Sequence, residues 1–123
     1  TLWRTRFGSP GIPWCAGSND EAQYIEWDFG GDLRRITAIR LAGRVQGEAT
    51  DQFVTRFRLL YDAGVGYVWY DGGREVEGAV DAGTTVMRLV SPFDAYRVRL
   101  NPTAWHLHIS LRATLLGCDS PQA

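Results

Sequence analysis

The chain of 123 residues is 45% hydrophobic and 22% charged, with a net charge of -1 and a pI near 6.0, the make-up of one globular domain with no room for a second. That balance excludes a general attraction to nucleic acid or to an anionic membrane, so binding of either kind has to be local. No apolar run approaches the roughly 18 residues of a membrane span, and two cysteines are too few for a disulfide framework.

Alternation with a period of two runs through the chain and no window carries a helical stripe, which predicts an all-β fold. The first clear strand covers residues 24–29, with Ile25, Trp27 and Phe29 on one face and Glu26 and Asp28 on the other, and Gly30-Gly31 ends it. Residues 36–41 follow, then 54–61, where Phe57, Leu59 and Tyr61 point inward and Arg56 and Arg58 to solvent. Asp62-Ala63-Gly64 reads as a turn, 67–70 as its hairpin partner and Asp71-Gly72-Gly73 as a break. Residues 84–89, 96–100 and 109–116 supply three more strands, with Asn101-Pro102 read as a tight turn exposing Trp105 and His106. At least seven strands punctuated by Gly, Asp and Pro predict an antiparallel β-sandwich or jelly-roll-like barrel over residues 1–118, followed by a polar tail, 119–123.

Catalytic and metal chemistry find no support in the residue pattern. His106 and His108 alternate on one face, but zinc needs three or four ligands and no Cys or Glu stands near them in sequence. Ser110 lacks the Gly-x-Ser-x-Gly setting of a nucleophile elbow, and no helix follows Gly64-Val65-Gly66 to make it a phosphate loop. Arg56-Phe57-Arg58 is a strand with solvent-facing arginines rather than a nucleic-acid platform. All thirteen basic residues are arginine. No enzyme activity, cofactor, metal or nucleic-acid partner is expected.

Several segments, in order, resemble the discoidin, or coagulation factor 5/8 type C, domain family: Trp14-Cys15-Ala16, the 24–30 strand, Arg35 to Ile39 leading to Gly43-Arg44, the 54–61 strand, Trp69-Tyr70, Glu77-Gly78 with Asp81, Ser91-Pro92, and the closing block from Leu100 to Cys118. Two departures stand out. The stretch before Trp14 is shorter than the family's, which holds a first cysteine and a first ligand loop. Ala95-Tyr96-Arg97-Val98-Arg99 exchanges Tyr and Arg relative to the usual order, which leaves the register of that strand open. A missing first strand would leave an unpaired sheet edge and favour self-association into a homo-oligomer.

The resemblance implies an extracellular or cell-surface recognition and adhesion domain that binds a glycan or a protein through loops at one pole of the barrel. The implied pole comprises the loops 44–52, 72–81 and 105–110, with Arg44, Glu48, Asp51, Gln52, Trp105, His106 and His108 as the ligand-binding residues. Each has a structural alternative: Trp105 as a plug of the barrel end, Arg44 as a clamp on its own loop, Glu48 and Asp51 as solvated surface. In collagen-binding relatives an arginine pairs with a glutamate later in the same loop; Arg44 stands at the arginine and Gln52 at the glutamate, so the pair would need Asp51 and a slip of one residue. In phosphatidylserine-binding relatives apolar loop tips enter the membrane, whereas residues 45–52 offer no Leu, Phe or Trp, and Glu48 and Asp51 would be repelled by anionic lipid. Membrane binding is therefore not expected. The resemblance places Cys15 beside Ser110, where some relatives have a second cysteine, too far from Cys118 along an extended strand for the two to pair. Both thiols are expected to be free.

Overall fold

The computed structural model describes residues 2–7, as backbone, and residues 14–121. Among them are ten strands: β1 (Leu2–Phe7), β2 (Trp14–Cys15), β3 (Ile25–Asp28), β4 (Arg34–Ala42), β5 (Phe53–Asp62), β6 (Tyr67–Trp69), β7 (Val76–Glu77), β8 (Val86–Ala95), β9 (Arg97–His106) and β10 (Ser110–Asp119). They form two antiparallel sheets, one in the order β1-β10-β4-β8 with β2 also on β10, the other in the order β3-β9-β5-β6 with β7 also on β5. The two inner faces pack as a sandwich, the architecture that the alternation predicts.

The core follows from that alternation. Ile25 and Trp27 of β3, Ile36, Ile39 and Leu41 of β4, Phe57 and Leu59 of β5, Val98 and Leu100 of β9, and Leu111 and Leu115 of β10 are all buried. Val98 and Leu100 facing inward, with Arg97 and Arg99 outside, fix the register that the Tyr-Arg exchange leaves open. At Gly117, where β10 shifts register against β4, a Cβ would lie 1.9 Å from the Arg35 carbonyl oxygen. Only glycine permits that approach of the two backbones.

Several expectations fail for identifiable reasons. Asn101-Pro102 is not a turn, because β9 runs straight through it to His106. Pro102 is buried opposite Phe57, beside register shifts that absorb its missing N–H, while the Asn101 amide leaves the sheet to donate to the Glu21 and Gln23 carbonyls at 2.7 and 2.9 Å. The strand expected at 84–89 extends to Ala95, with Ser91-Pro92 at an irregularity in the β4–β8 ladder. The first strand expected to be missing is present as β1, paired with β10 from Leu2↔Cys118 to Phe7↔Ala113. The tail expected from 119 begins later: Asp119 ends β10 and is ion-paired to Arg34 at 2.9 Å, and Ser120 is buried with its N–H on the Leu33 carbonyl at 3.2 Å. Residues 122–123 lie outside the described residues.

Candidate recognition pole

Four connections meet at the end of the sandwich where β4 and β9 finish and β5 and β10 begin: residues 16–24, 43–52, 78–85 and 107–109. Backbone bonds stitch them together. Ala16 N–H donates to the Ile109 carbonyl at 3.0 Å and Gly43 N–H to the Ala82 carbonyl at 3.1 Å, while Ile109 N–H donates to Asn19 Oδ1 at 2.9 Å. Gly43 makes the crossing possible, since a Cβ there would lie 2.4 Å from the Gln52 carbonyl oxygen. Of the expected loop 72–81, only its last part reaches this pole. Residues 70–73 form a 3-10 turn and Val76–Glu77 pairs with the middle of β5, so that segment runs along the sheet edge before Gly78 and Ala79 bond the Thr55 and Val54 carbonyls, each at 2.8 Å.

Two carboxylates shape the loops. Asp51 Oδ1 accepts from Gln46 N–H at 2.8 Å and Gly47 N–H at 2.9 Å. Asp81 Oδ1 accepts from Gly83 N–H at 3.0 Å and Thr84 N–H at 2.6 Å, and its Oδ2 takes the Thr84 hydroxyl at 2.9 Å. These Thr84 bonds, backbone first, hold the Asp81 carboxyl below its ordinary range. Both loops thus come pre-ordered, which lowers the entropy lost when a ligand is gripped.

The residues expected to bind divide into two groups. Glu48 is exposed at a loop tip, and His106 is exposed with its ring stacked on Phe53, centroids 4.9 Å apart. Arg44 is half-buried and joined to Gln52 by two backbone bonds of 2.7 and 3.1 Å. Its guanidinium lies 3.6 Å from Cys15 Sγ and, with the Gln46 amide turned oxygen-first, donates to that oxygen at 2.7 and 3.2 Å. The others serve the scaffold. Asp51 faces its own loop rather than Arg44, so the ion pair of the collagen-binding pattern is not formed. Gln52 Oε1 accepts from Ser110 Oγ at 2.8 Å, Trp105 is partly buried and packs against the core, and His108 Nε2 is 3.0 Å from the Ala16 carbonyl, which makes it the protonated nitrogen. The two histidines do not point the same way, because Leu107, at φ +65°, breaks the strand between them.

Cys15 lies opposite Ser110 in the β2–β10 pair, with the Ser110 hydroxyl 3.2 Å from its sulfur. Cys15 is exposed and Cys118 half-buried, and neither forms a disulfide among the described residues.

Sequence reading missed the apolar tips. Val45 and Val80 are each 63% exposed and Leu107 is 56% exposed, on three of the four connections. The expectation against a membrane rested on the 45–52 loop and on the lack of the family's first ligand loop, but the pole as a whole does carry apolar side chains in solvent. For Leu107 the signal could not be read locally, since its exposure comes from a left-handed backbone that leucine rarely adopts.

The family model described as F5/8 type C domain matches residues 4–115. Lactadherin of Sus scrofa is 32% identical over 112 residues, covering 85% of this chain and 27% of its own length. Retinoschisin of Mus musculus is 29% identical over 117 residues, covering 89% and 50%. The structure of wild-type discoidin II from Dictyostelium discoideum superposes with a TM-score of 0.77 at 27% identity, over 85% of this chain and 40% of that one. The chain thus spans between about a quarter and a half of the length of these relatives.

Proposed function

Because the chain belongs to the F5/8 type C domain family, we propose that it is a non-catalytic recognition and adhesion domain of the extracellular or cell-surface space, holding a glycan or protein ligand at the pole just described. The observation that carries this reading is Leu107. A leucine in the left-handed region costs about 1–2 kcal/mol, and with 56% of its surface exposed it recovers little by burial. Strain kept where folding gains nothing points to a contact made outside the chain. Around Leu107 the exposed Glu48 and His106 supply hydrogen bonds, Arg44 borders them, and Val45 and Val80 supply apolar surface, a mixture suited to the polar and non-polar faces of a sugar or a protein epitope.

The apolar tips favour a second reading, a phospholipid surface, against which stand the carboxylates Glu48, Asp51 and Asp81 at the same pole. A glycan array, a collagen-binding assay and co-sedimentation with phosphatidylserine and phosphatidylcholine vesicles separate the two. The first reading expects a glycan or protein signal that the combined Glu48→Ala, His106→Ala and Leu107→Gly variant loses while still folding. Binding to phosphatidylserine vesicles alone would replace it with the second. Retention of full glycan or protein binding by the variant would remove the pole from the account altogether.

A further inference from the structure

The outer face of the β3-β9-β5-β6 sheet carries a second unusual surface, away from the pole. Arg99 of β9 is sandwiched between Tyr24 and Tyr67, its guanidinium carbon 4.4 and 4.0 Å from the two ring centroids, with Nε on Glu26 at 2.8 Å. On β5, diagonally across the ladder, the Arg58 guanidinium lies 4.6 Å over the Trp69 ring. Trp69 is 42% and Tyr24 47% exposed, so aromatic surface flanks the arginines on both sides.

The arginines differ in how their charge is met. Arg99 has Glu26, and Arg97 has Asp62. Arg58 has no carboxylate partner among the described residues, and its Nε is buried without an acceptor. The residue directly across the ladder, Asn101, has turned its amide away to the Glu21 and Gln23 carbonyls. A half-buried guanidinium over an indole, with no carboxylate on it, retains donor capacity for an oxyanion, and the loss of water around it strengthens such a bond.

We propose that this sheet face is a second binding surface, for a carboxylate-bearing glycan whose acid group pairs with Arg58 and whose rings stack along Trp69 and the tyrosines. Charge complementarity selects the occupant. Three arginines, Arg58, Arg97 and Arg99, meet three carboxylates, Glu26, Asp28 and Asp62, on this face, so it is no basic stripe, and Arg58 is the one of these arginines with no ion pair among the described residues. That suits a chain with sparse carboxylates between neutral sugars and opposes a nucleic acid with its phosphate at every residue. The aromatic shelf supplies the apolar contact that a sugar ring, but not a free anion, can use.

A hyaluronan tetrasaccharide, with neutral, fully N-acetylated chitotetraose as control, titrated into the isotope-labelled protein tests this by amide and indole NMR. The expected result is perturbation of the outward positions of β5, β6 and β9 and of the Trp69 indole, with chitotetraose bound about tenfold more weakly and Arg58→Gln lowering hyaluronan affinity about tenfold. The Glu48→Ala/His106→Ala pole variant should bind hyaluronan as the wild type does. If Arg58→Gln fails to fold, the wild-type footprint and the control sugar decide. Perturbation confined to the pole loops, equal binding of the neutral sugar, or no perturbation at saturating ligand would each overturn the proposal. Perturbation confined to the pole loops would overturn this proposal while supporting the pole reading, and the other outcomes leave the pole's own ligand to its separate assays, so the two readings fail independently.

Discussion

On the proposed reading of the pole, Leu107 couples stability to recognition through a single dihedral angle. The chain must reverse between His106 at the end of β9 and Ser110 at the start of β10, and it does so with leucine at φ +65°. Glycine would adopt that angle without a Cβ clash, at some cost in unfolded-chain entropy. Leu107→Gly should therefore raise unfolding stability by up to about 1 kcal/mol in urea titration, while weakening the ligand found for the pole. A variant that loses both stability and binding would mean that Leu107 is a scaffold residue. Asp81 tests the opposite relation, because its carboxylate holds the 81–84 turn through Gly83 and Thr84 and does not offer itself outward. Asp81→Ala should speed amide exchange at Gly83 and Thr84. Because the folded pKa is depressed, the contribution of this carboxylate is present above its ordinary value of 3.8 and fades as pH falls through the folded value. At sufficiently low pH the wild type should exchange as fast as the variant. A gap that persists there would assign the ordering of the turn to something else.

At the level of strands, the close approach at Gly117 fixes how β10 crosses β4. A methyl group there meets the Arg35 carbonyl, which belongs to the backbone and cannot move aside as a side chain would. Gly117→Ala should cost roughly 3 kcal/mol or more, whereas Gly17→Ala, which meets nothing within 4 Å, should stay within about 0.5 kcal/mol in the same denaturation assay. The contrast shows which strand features were legible in the sequence. Ile25-Glu26-Trp27-Asp28 announces both its face and its end because its burial alternates residue by residue. β9 hides its length because Pro102, ordinarily a breaker, sits at a register shift, and a bulge depends on the partner strand rather than on the local sequence. β8 hides its second half for the same reason at Ser91-Pro92. At the pole, family-like spacing brought the 44–52 and 105–110 segments to one end of the sandwich, and Asp51 bonds its own loop at Gln46 and Gly47, but the hydrogen bonds of Gln52 and His108 depend on the distant partners Ser110 and Ala16, which no local pattern reveals.

Across the whole molecule, ion pairs between arginine and carboxylate replace the mixed basic set of most proteins, and the absence of lysine gives the alkaline titration an unusually simple form. All thirteen basic side chains are arginine, so no lysine ammonium titrates in the alkaline range. On the acid side, Glu26, Asp62, Asp81 and Asp94 all sit below the ordinary carboxylate range, held by Tyr67, by the Gly64 N–H, by the Thr84 N–H and by Arg35 respectively. Their contribution is complete at neutral pH and is lost as pH falls through those depressed values. On the alkaline side, burial, aided by the hydrogen bond to Glu26, pushes Tyr67 up to about 12 from an ordinary 10.0. The unfolded chain therefore releases that proton first. Stability from the neutral phenol is full below pH 10 and declines as pH rises toward about 12. In a lysine-containing protein, ammonium deprotonation would blur this window; here no lysine does. Tyr67→Phe cannot ionise, so it should start less stable by the lost hydrogen bond yet show a shallower decline between pH 10 and 12 in denaturant titrations. An unchanged slope would place the alkaline transition on another of the five tyrosines and would mean that the phenol on Glu26 is no more protected than the rest.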